Sequence, residues 1–156
     1  MKLTHVDSQG QSKMVDVGEK NVVPRTAVAE GKLAFSHGTR QLILDAGLPK
    51  GNPFEVARLA GIQAAKQTSL LVPLCHNIGL DFADVQIELQ EDGFLVRSRV
   101  SCHATTGVEM EALTATAVAA LTLYDMCKAV DKEMVIQEIR VTEKTKNDSM
   151  QLSPRG

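Results

Sequence analysis

Apolar and polar residues alternate in two neighbouring segments of the chain, residues 82–90 and 94–102. In the first segment, every second position from Val85 to Leu89 is apolar, and the positions between them are polar. This period of two is typical of strands that bury one face. The Glu-Asp-Gly of residues 91–93 separates the two segments and favours a tight turn. The sequence therefore predicts a β-hairpin.

Further strands are predicted before and after this hairpin. Residues 25–35 are mostly small or apolar and indicate extended backbone, with an interruption at Gly31. Residues 135–144 alternate again and predict the last strand. Near the start of the chain, the Met-Val-Asp-Val of residues 14–17 predicts a short additional strand.

Two helices are predicted between the first long strand and the hairpin. The first covers residues 39–46 and stops at the Gly-Leu-Pro of residues 47–49. The second covers residues 52–69, where Asn52 can cap the first turn and Pro53 suits the first helical position.

A third, longer helix is predicted over residues 108–130, and it carries no charged side chain between Ala112 and Tyr124. A helix on the surface of a small monomer normally shows a polar stripe. We therefore expect both sides of this helix to be covered, which indicates a homo-oligomer. The order strand, helix, strand, strand, helix, strand predicts an α+β chain of the ferredoxin-like split βαβ class, with both helices on one face of an antiparallel sheet.

Length and charge narrow the classes of protein that the chain can belong to. Its 156 residues suit a single domain, residues 1–156, with a loose tail over about residues 145–156. The net charge of −2 gives no basic field for nucleic acid, and one Tyr, four Phe and no Trp offer little surface for stacking bases. An anionic ligand must therefore be bound by a few well-placed cations.

The chain shows no targeting or disulfide pattern. Residues 1–13 lack the apolar core of a secretion signal, and no run approaches the roughly 20 apolar residues of a membrane helix. Three cysteines without a CxxC spacing argue against a disulfide framework and for a reducing compartment. We expect a cytoplasmic protein with no membrane and no nucleic-acid partner.

Two single residues could carry chemistry. Lys50 and Gly51 directly precede the predicted helix at Asn52, and the N-terminus of a helix favours phosphate. His76 follows an apolar run and could serve as acid, base or phosphate donor. The residues alone also allow a solvent-exposed turn lysine and a structural histidine.

Adjacent cysteine and histidine residues occur twice, as Cys75 with His76 and as Cys102 with His103. Neighbours in an extended chain point to opposite sides, so such pairs make poor joint metal ligands. The number of soft ligands is also small for a closed zinc site. We therefore expect no metal site.

Charged residues lie near both ends of the long helix. Glu109 and Glu111 fall in the first turn, where acids also simply stabilise a helix. Asp125 and Lys128, three residues apart, share a face near the other end and can form an ion pair or act in acid–base chemistry. Fourteen positions at 1.5 Å per residue place Glu111 and Asp125 about 21 Å apart. They therefore have separate tasks, or a second subunit completes a shared site.

Four segments of the chain resemble the cyclic pyranopterin monophosphate synthases, the molybdenum cofactor biosynthesis protein C family. The segments are residues 66–76, 106–114, 123–130 and, at the N-terminus, 3–7 with 14–17. The similarity extends over nearly the whole chain to about Lys144. It implies a ferredoxin-like subunit, assembled as dimers within a hexamer (a trimer of dimers), with active sites at subunit interfaces.

The resemblance implies a lyase of the phosphorus–oxygen type. Its substrate is (8S)-3′,8-cyclo-7,8-dihydroguanosine 5′-triphosphate, derived from GTP, and its products are cyclic pyranopterin monophosphate and pyrophosphate. No cofactor is implied, although Mg²⁺ can accompany the triphosphate. A binding module that senses a nucleotide without turnover, or an enzyme of other pterin or purine chemistry, would use the same residue types.

The resemblance also assigns roles to individual residues. The residues that match catalytic positions are Asp125, Lys128, Lys50 and His76. Those that match substrate-binding positions are Leu74, Cys75, His76, Glu109, Met110 and Glu111, with Arg25, Lys66 and Lys144 as further basic positions. We expect Asp125 and Lys128 to act on the base, and Lys50 and His76 to hold phosphates.

The chain departs from the family pattern at two places. The family usually follows its last strand with a glycine-rich segment, whereas here Lys144 and Thr145 precede Lys-Asn-Asp-Ser-Met-Gln. The position before Thr106, often a lysine in the family, is Thr105. Both changes concern contacts to the outer phosphates.

Overall fold

A four-stranded antiparallel sheet forms the centre of the protein. The structure is a computed structural model, and it describes residues 4–45 and 50–147. The strands are β1 (Val23–Ala34), β2 (Phe82–Leu89), β3 (Gly93–Ala104) and β4 (Val135–Lys146), in the spatial order β2-β3-β1-β4. The helices are α1 (Thr39–Asp45), α2 (Pro53–Lys66), α3 (Thr68–Leu71) and α4 (Glu109–Cys127). The chain is thus α+β, as the pattern predicts.

The central strand β1 pairs along its whole length with β3 and, on its other side, with β4. The register with β4 shifts opposite Gly31, and Glu138 in β4 has a φ of 57°. A side chain at Gly31 would place its Cβ 2.8 Å from Ile139 Cγ1 and 2.9 Å from Thr116 Cγ2. The expected interruption at Gly31 is therefore a bulge in the partner strand, and β1 itself is continuous.

Helices α2 and α4 pack against each other and against the sheet. Their contact is close because small residues face each other, and a Cβ at Gly61 of α2 would lie 2.8 Å from the carbonyl oxygen of Ala115 in α4. Phe94 of β3 is fully buried beneath them and packs edge-to-face with Phe35 and Phe54, at ring-centroid distances of 5.7 Å. The core therefore lies between the two long helices and the sheet.

The predicted helices and the four long strands all form, with small changes at their ends. Asn52 caps α2 by accepting hydrogen bonds from the N–H groups of Phe54 and Glu55 at 3.0 and 3.3 Å. The helix predicted over residues 52–69 is divided into α2 and α3. The expected helix stop at residues 47–49 lies outside the described residues.

One expectation near the start of the chain is wrong, and near the other end β4 reaches into the expected tail. Residues 14–17 form no strand, because this segment lies over the loop of His76 and its Val15 carbonyl accepts a side-chain hydrogen bond instead of a strand partner. Thr145 and Lys146, the first residues of the tail expected over about residues 145–156, extend β4 and pair with Thr26 and Arg25 of β1. Residues 148–156 lie outside the described residues.

The outward side of α4 is apolar and uncovered within one chain. Leu121 is 59% exposed there, and Met110 is 39% exposed. The inward side is buried against the sheet, so the absence of charge between Ala112 and Tyr124 leaves an apolar outer row. This is the face that the sequence predicts to be covered by another subunit.

Candidate active site

Two lysines converge on one carboxylate at the C-terminal end of α4. The Lys50 ammonium lies 2.5 Å from Asp125 Oδ2, and the Lys128 ammonium lies 2.8 Å from Asp125 Oδ1. Lys128 follows from helical spacing, whereas Lys50 reaches the site from the loop before α2. All three side chains are about half exposed. Solvent therefore screens the two ion pairs, and they contribute little to the stability of the fold.

The two lysines fix the charge states of this group. Hydrogen bonds from Lys128 and then Lys50 lower the pKa of Asp125 to about 2. The hydrogen bond with Asp125 in turn raises the pKa of Lys128. At neutral pH the group therefore rests as an ion pair between the Asp125 carboxylate and the Lys128 ammonium group.

These side chains line a depression of about 350 Å³. Its other lining residues are Tyr124, Met126, Ala129 and Lys132. We call it the lysine depression. Its three lysines come from two parts of the chain, because Lys50 lies before α2, and Lys128 and Lys132 lie after α4. The depression therefore offers several ammonium groups to an anionic or carbonyl-containing ligand.

A second, larger depression of about 560 Å³ lies at the N-terminal end of α4, and we call it the histidine depression. It is lined by His76, Leu74 and Cys75 from the loop after α3, by Glu109, Met110 and Glu111 from α4, and by residues of the segments 4–20 and 106–107. His76 Nε2 lies 2.7 Å from the carbonyl oxygen of Val15, so this ring nitrogen carries the proton.

Glu111 is the one charged side chain of the histidine depression that is deeply buried. It is 4% exposed, and its Oε2 has no hydrogen-bond partner among the described residues. Burial raises the pKa of this carboxyl, and the nearby charge of Glu109 adds to that effect. A buried, unpaired oxygen facing a depression is suited to receive an N–H group of a ligand.

A smaller depression of about 220 Å³ adjoins the second one through Gly107 and Glu109. It is lined by Arg25, Lys144 and Lys146 among others. The guanidinium of Arg25 donates hydrogen bonds to the carbonyl oxygens of Ala104 and Thr105 at 3.1 Å. Lys144 lies 3.3 Å from a carboxylate oxygen of Glu109. Cations thus border the histidine depression on this side.

Within one chain, the expected site residues fall into two groups at opposite ends of α4. Lys50, Asp125 and Lys128 form one group, and His76 belongs to the other. The grouping of Lys50 with His76 is therefore not formed within a single chain. Lys66 is exposed at the end of α2 and lines neither the lysine depression nor the histidine depression.

Several residues that line these depressions have no role in the sequence interpretation. Thr4, His5, Val17 and Lys20 bring the polar N-terminal segment over the histidine depression. The segment is as polar as any exposed segment, so only the family similarity of residues 3–7 and 14–17 could have indicated Thr4, His5 and Val17, and nothing in the sequence indicated Lys20. Tyr124 and Lys132 of the lysine depression give no signal in the sequence beyond their nearness to Asp125 and Lys128.

No group of three or more His, Cys, Asp or Glu side chains in residues 4–45 and 50–147 is arranged to hold a metal ion. Each helix in the same two ranges is too short or too polar to cross a lipid bilayer. Cys75, Cys102 and Cys127 are free thiols.

Two groups of charged side chains that line depressions on a small α+β fold are typical of an enzyme that acts on a small molecule. The chain belongs to the MoaC family, whose model matches residues 14–147. It is 51% identical over 145 residues to proteins from the J-10-fl and Y-400-fl strains of Chloroflexus aurantiacus, both named cyclic pyranopterin monophosphate synthase. The aligned regions cover 92% of this chain and 89% of each relative.

Proposed function

We propose that this chain catalyses the synthesis of cyclic pyranopterin monophosphate in molybdenum cofactor biosynthesis. The substrate is (8S)-3′,8-cyclo-7,8-dihydroguanosine 5′-triphosphate, and pyrophosphate is the second product. Family membership and the names of the two Chloroflexus relatives support the reaction. The observation that carries it is the convergence of Lys50 and Lys128 on the Asp125 carboxylate.

The Asp125 group supplies the proton transfers of the rearrangement. Opening and reclosing a purine-derived ring requires proton removal at one atom and proton delivery at another. A substrate that separates Asp125 from the lysines removes the hydrogen bonds that lower the pKa of Asp125 and raise that of Lys128, so that Asp125 can then accept a proton and Lys128 can donate one. Lys50 binds the same carboxylate and holds it in place between two cations.

The histidine depression binds the other parts of the substrate. His76 and the bordering cations Arg25 and Lys144 neutralise the triphosphate, where positioning and charge dominate the chemistry. The buried Glu111 accepts an N–H group of the base. Leu74, Cys75 and Met110 form the walls. Any Mg²⁺ enters with the triphosphate as part of the substrate, and the reaction uses no other cofactor.

A complete site combines the two groups from different subunits. Helix α4 keeps Glu111 and Asp125 about 21 Å apart along its axis, too far for one chain to surround a single reacting centre. The apolar outer row of α4 favours contact with a second copy. We therefore propose a homohexamer, a trimer of dimers, with sites at the interfaces, and we assign the exposed Lys66 to a site that a second subunit completes.

The remaining features fit a cytoplasmic enzyme of one domain, residues 1–156. The strand order β2-β3-β1-β4 with α2 and α4 packed on the sheet supports a ferredoxin-like fold. Three free thiols suit a reducing compartment. A small-molecule substrate is the partner, because the charge of −2 and the scarcity of aromatic residues disfavour nucleic acid.

Pyrophosphate release from the cyclised GTP derivative tests the reaction directly. We expect release by the wild type and a loss of at least about a hundredfold in Lys128→Ala, because the proton donor is removed. Lys32→Ala is the matched control, since Lys32 also pairs with an aspartate, Asp92, but does so on the sheet. It should retain full turnover. Binding of the substrate without release by the wild type would instead show a nucleotide sensor.

Mixed assemblies test whether the site is shared. His76→Ala and Lys128→Ala alone should each be inactive. Their co-expression at equal levels should restore about a quarter of wild-type activity, because half of the dimers are mixed and each mixed dimer has one intact site. If the mixed assembly remained as inactive as its parents, the two groups would not combine across subunits.

A further inference from the structure

Asp131 is a buried carboxylate that the proposed chemistry does not use. It lies in the loop between α4 and β4 and is 8% exposed. Its Oδ2 accepts hydrogen bonds from the backbone N–H of Ser36 at 2.9 Å and from the hydroxyl of Thr39 at 2.7 Å. Its Oδ1 accepts the N–H of Glu133 at 2.8 Å. One side chain therefore joins the start of α1 to the loop after α4.

The loop that Asp131 holds forms one wall of the lysine depression. Lys128, Ala129 and Lys132 line the depression from this loop. Other contacts also restrain it, since the N–H groups of Val130 and Asp131 donate to the Cys127 carbonyl at 2.9 and 3.3 Å, and the Tyr124 hydroxyl donates to the Lys132 carbonyl at 3.1 Å. The contact between this loop and the start of α1 includes two hydrogen bonds, from Ser36 and Thr39, and both are accepted by Oδ2 of Asp131.

Thr39, one of the hydrogen-bond partners of Asp131, belongs to the helix that precedes Lys50 in the sequence. Thr39 begins α1 and is 3% exposed, and α1 ends at Asp45, with residues 46–49 between it and Lys50. Burial alone would raise the pKa of Asp131, but hydrogen bonds from Thr39, Ser36 and Glu133 outweigh it and lower the pKa. The side chain is thus a carboxylate at neutral pH, and its hydrogen bonds are charge-assisted.

We propose that Asp131 is a positioning residue: it fixes the Lys128 loop against α1, so that the Lys50 and Lys128 ammonium groups meet at Asp125. The catalytic consequence rests on the proposed function. A displacement of about 1 Å at a reacting group can cost about a hundredfold in rate. Loss of the Asp131 carboxylate should therefore affect turnover without removing any group that contacts the substrate.

Asp131→Asn is the central variant, because asparagine has the same size but carries no charge and has one accepting oxygen in place of two. Its hydrogen bonds are therefore no longer charge-assisted, and either the pair from Ser36 and Thr39 or the one from Glu133 is lost. We expect kcat to fall about tenfold or more with KM changed less than about twofold, since the loss concerns group placement in the reaction. Thr39→Val should reproduce part of the fall, and Thr39→Ser, which keeps the hydroxyl, should not. Asp92→Asn, which disturbs the exposed pair with Lys32, is the matched control and should keep wild-type kcat.

A second readout does not depend on turnover. Acylation of lysine amines by an amine-reactive ester, followed residue by residue by mass spectrometry, reports on pairing with Asp125. In Asp131→Asn, Lys50 and Lys128 should be acylated at least about threefold faster than in the wild type, relative to the exposed Lys13, because free amines deprotonate more easily than paired ones. Thermal unfolding of the same samples measures any purely structural effect.

The outcomes separate the two proposals. An unchanged kcat together with unchanged acylation rates would overturn the positioning role, even if the variant unfolded at a lower temperature. A wild type that releases no pyrophosphate, while Asp131→Asn still exposes both lysines to acylation, would overturn the proposed function and support the positioning role. A wild-type kcat in Thr39→Ser together with a lowered kcat in Thr39→Val would support the positioning role further.

Discussion

Single side chains show which contacts the sequence could predict. The Asn52 cap and the pairing of Asp125 with Lys128 follow from spacing along a helix, and the structure contains both. The contact between Lys50 and Asp125 joins residues 75 positions apart. Its prediction needed either the folded chain or the family similarity, because local patterns carry no information about distant partners.

Glu111 offers a test at the scale of one residue. Burial raises its pKa in the folded state, so the folded chain keeps this proton to higher pH than the unfolded chain does. Ionisation of Glu111 therefore weakens folding as pH rises above the unfolded value of about 4.3. We expect Glu111→Gln to have a higher free energy of unfolding than the wild type at pH 7, and a smaller advantage near pH 4.

Urea unfolding at both pH values and at one fixed protein concentration provides the measurement. Glu55→Gln is the control, because Glu55 is an exposed residue paired with Arg58 and should show no gain at pH 7. An equal effect of Glu111→Gln at both pH values would contradict a role for ionisation. Turnover should fall in Glu111→Gln even as the chain becomes more stable, as is common for buried polar groups at functional sites.

At the scale of elements, alternation and capping predicted the strands and helices well, because each buries one face against the same core. The short strand expected over residues 14–17 fails, since the pattern there cannot show that Val15 has a different partner, His76. The bulge of β4 opposite Gly31 was also beyond the sequence, because it depends on how Ile139 fits between two elements.

Gly61 tests the packing of α2 on α4. Alanine would favour the helix by about 1 kcal/mol. However, its Cβ would lie 2.8 Å from both the Ala115 carbonyl oxygen and Val85 Cγ2, and overpacking of this kind costs about 1–3 kcal/mol. We expect Gly61→Ala to lower the free energy of unfolding, measured in urea. Gly79→Ala, whose Cβ would meet nothing within 4 Å, should change it by less than about 0.5 kcal/mol.

At the scale of the whole molecule, the sequence predicted that α4 needs a partner, but it did not predict the geometry of the contact between the two copies. The lack of charge between Ala112 and Tyr124 predicted an outer face that needs a cover, and the folded chain leaves Leu121 exposed there. The shape of the two surfaces decides which part of the second copy contacts this face. The pattern of apolar and polar positions gives no information about that shape. The assembly therefore remains a proposal that rests on exposure and on the separation of the two groups.

Leu121→Glu tests the assembly. We expect the variant to keep its secondary structure, because the side chain is 59% exposed, but to dissociate to smaller species and lose turnover. Sedimentation and circular dichroism measure the two effects. Val135→Glu places the same charge at a residue 53% exposed on an edge strand and should leave the mass unchanged. A Leu121→Glu protein with wild-type mass would exclude this face of α4 from the interface.

The length of α4 has a consequence for how the chain can change during evolution. Each inserted or deleted helical residue would move one end by 1.5 Å and turn it by about 100° relative to the other. The two groups of site residues would then face different directions, and no compensating substitution nearby could restore both. Families built on this helix should therefore tolerate gaps in the turn of the β2–β3 hairpin and almost none between Glu109 and Lys128.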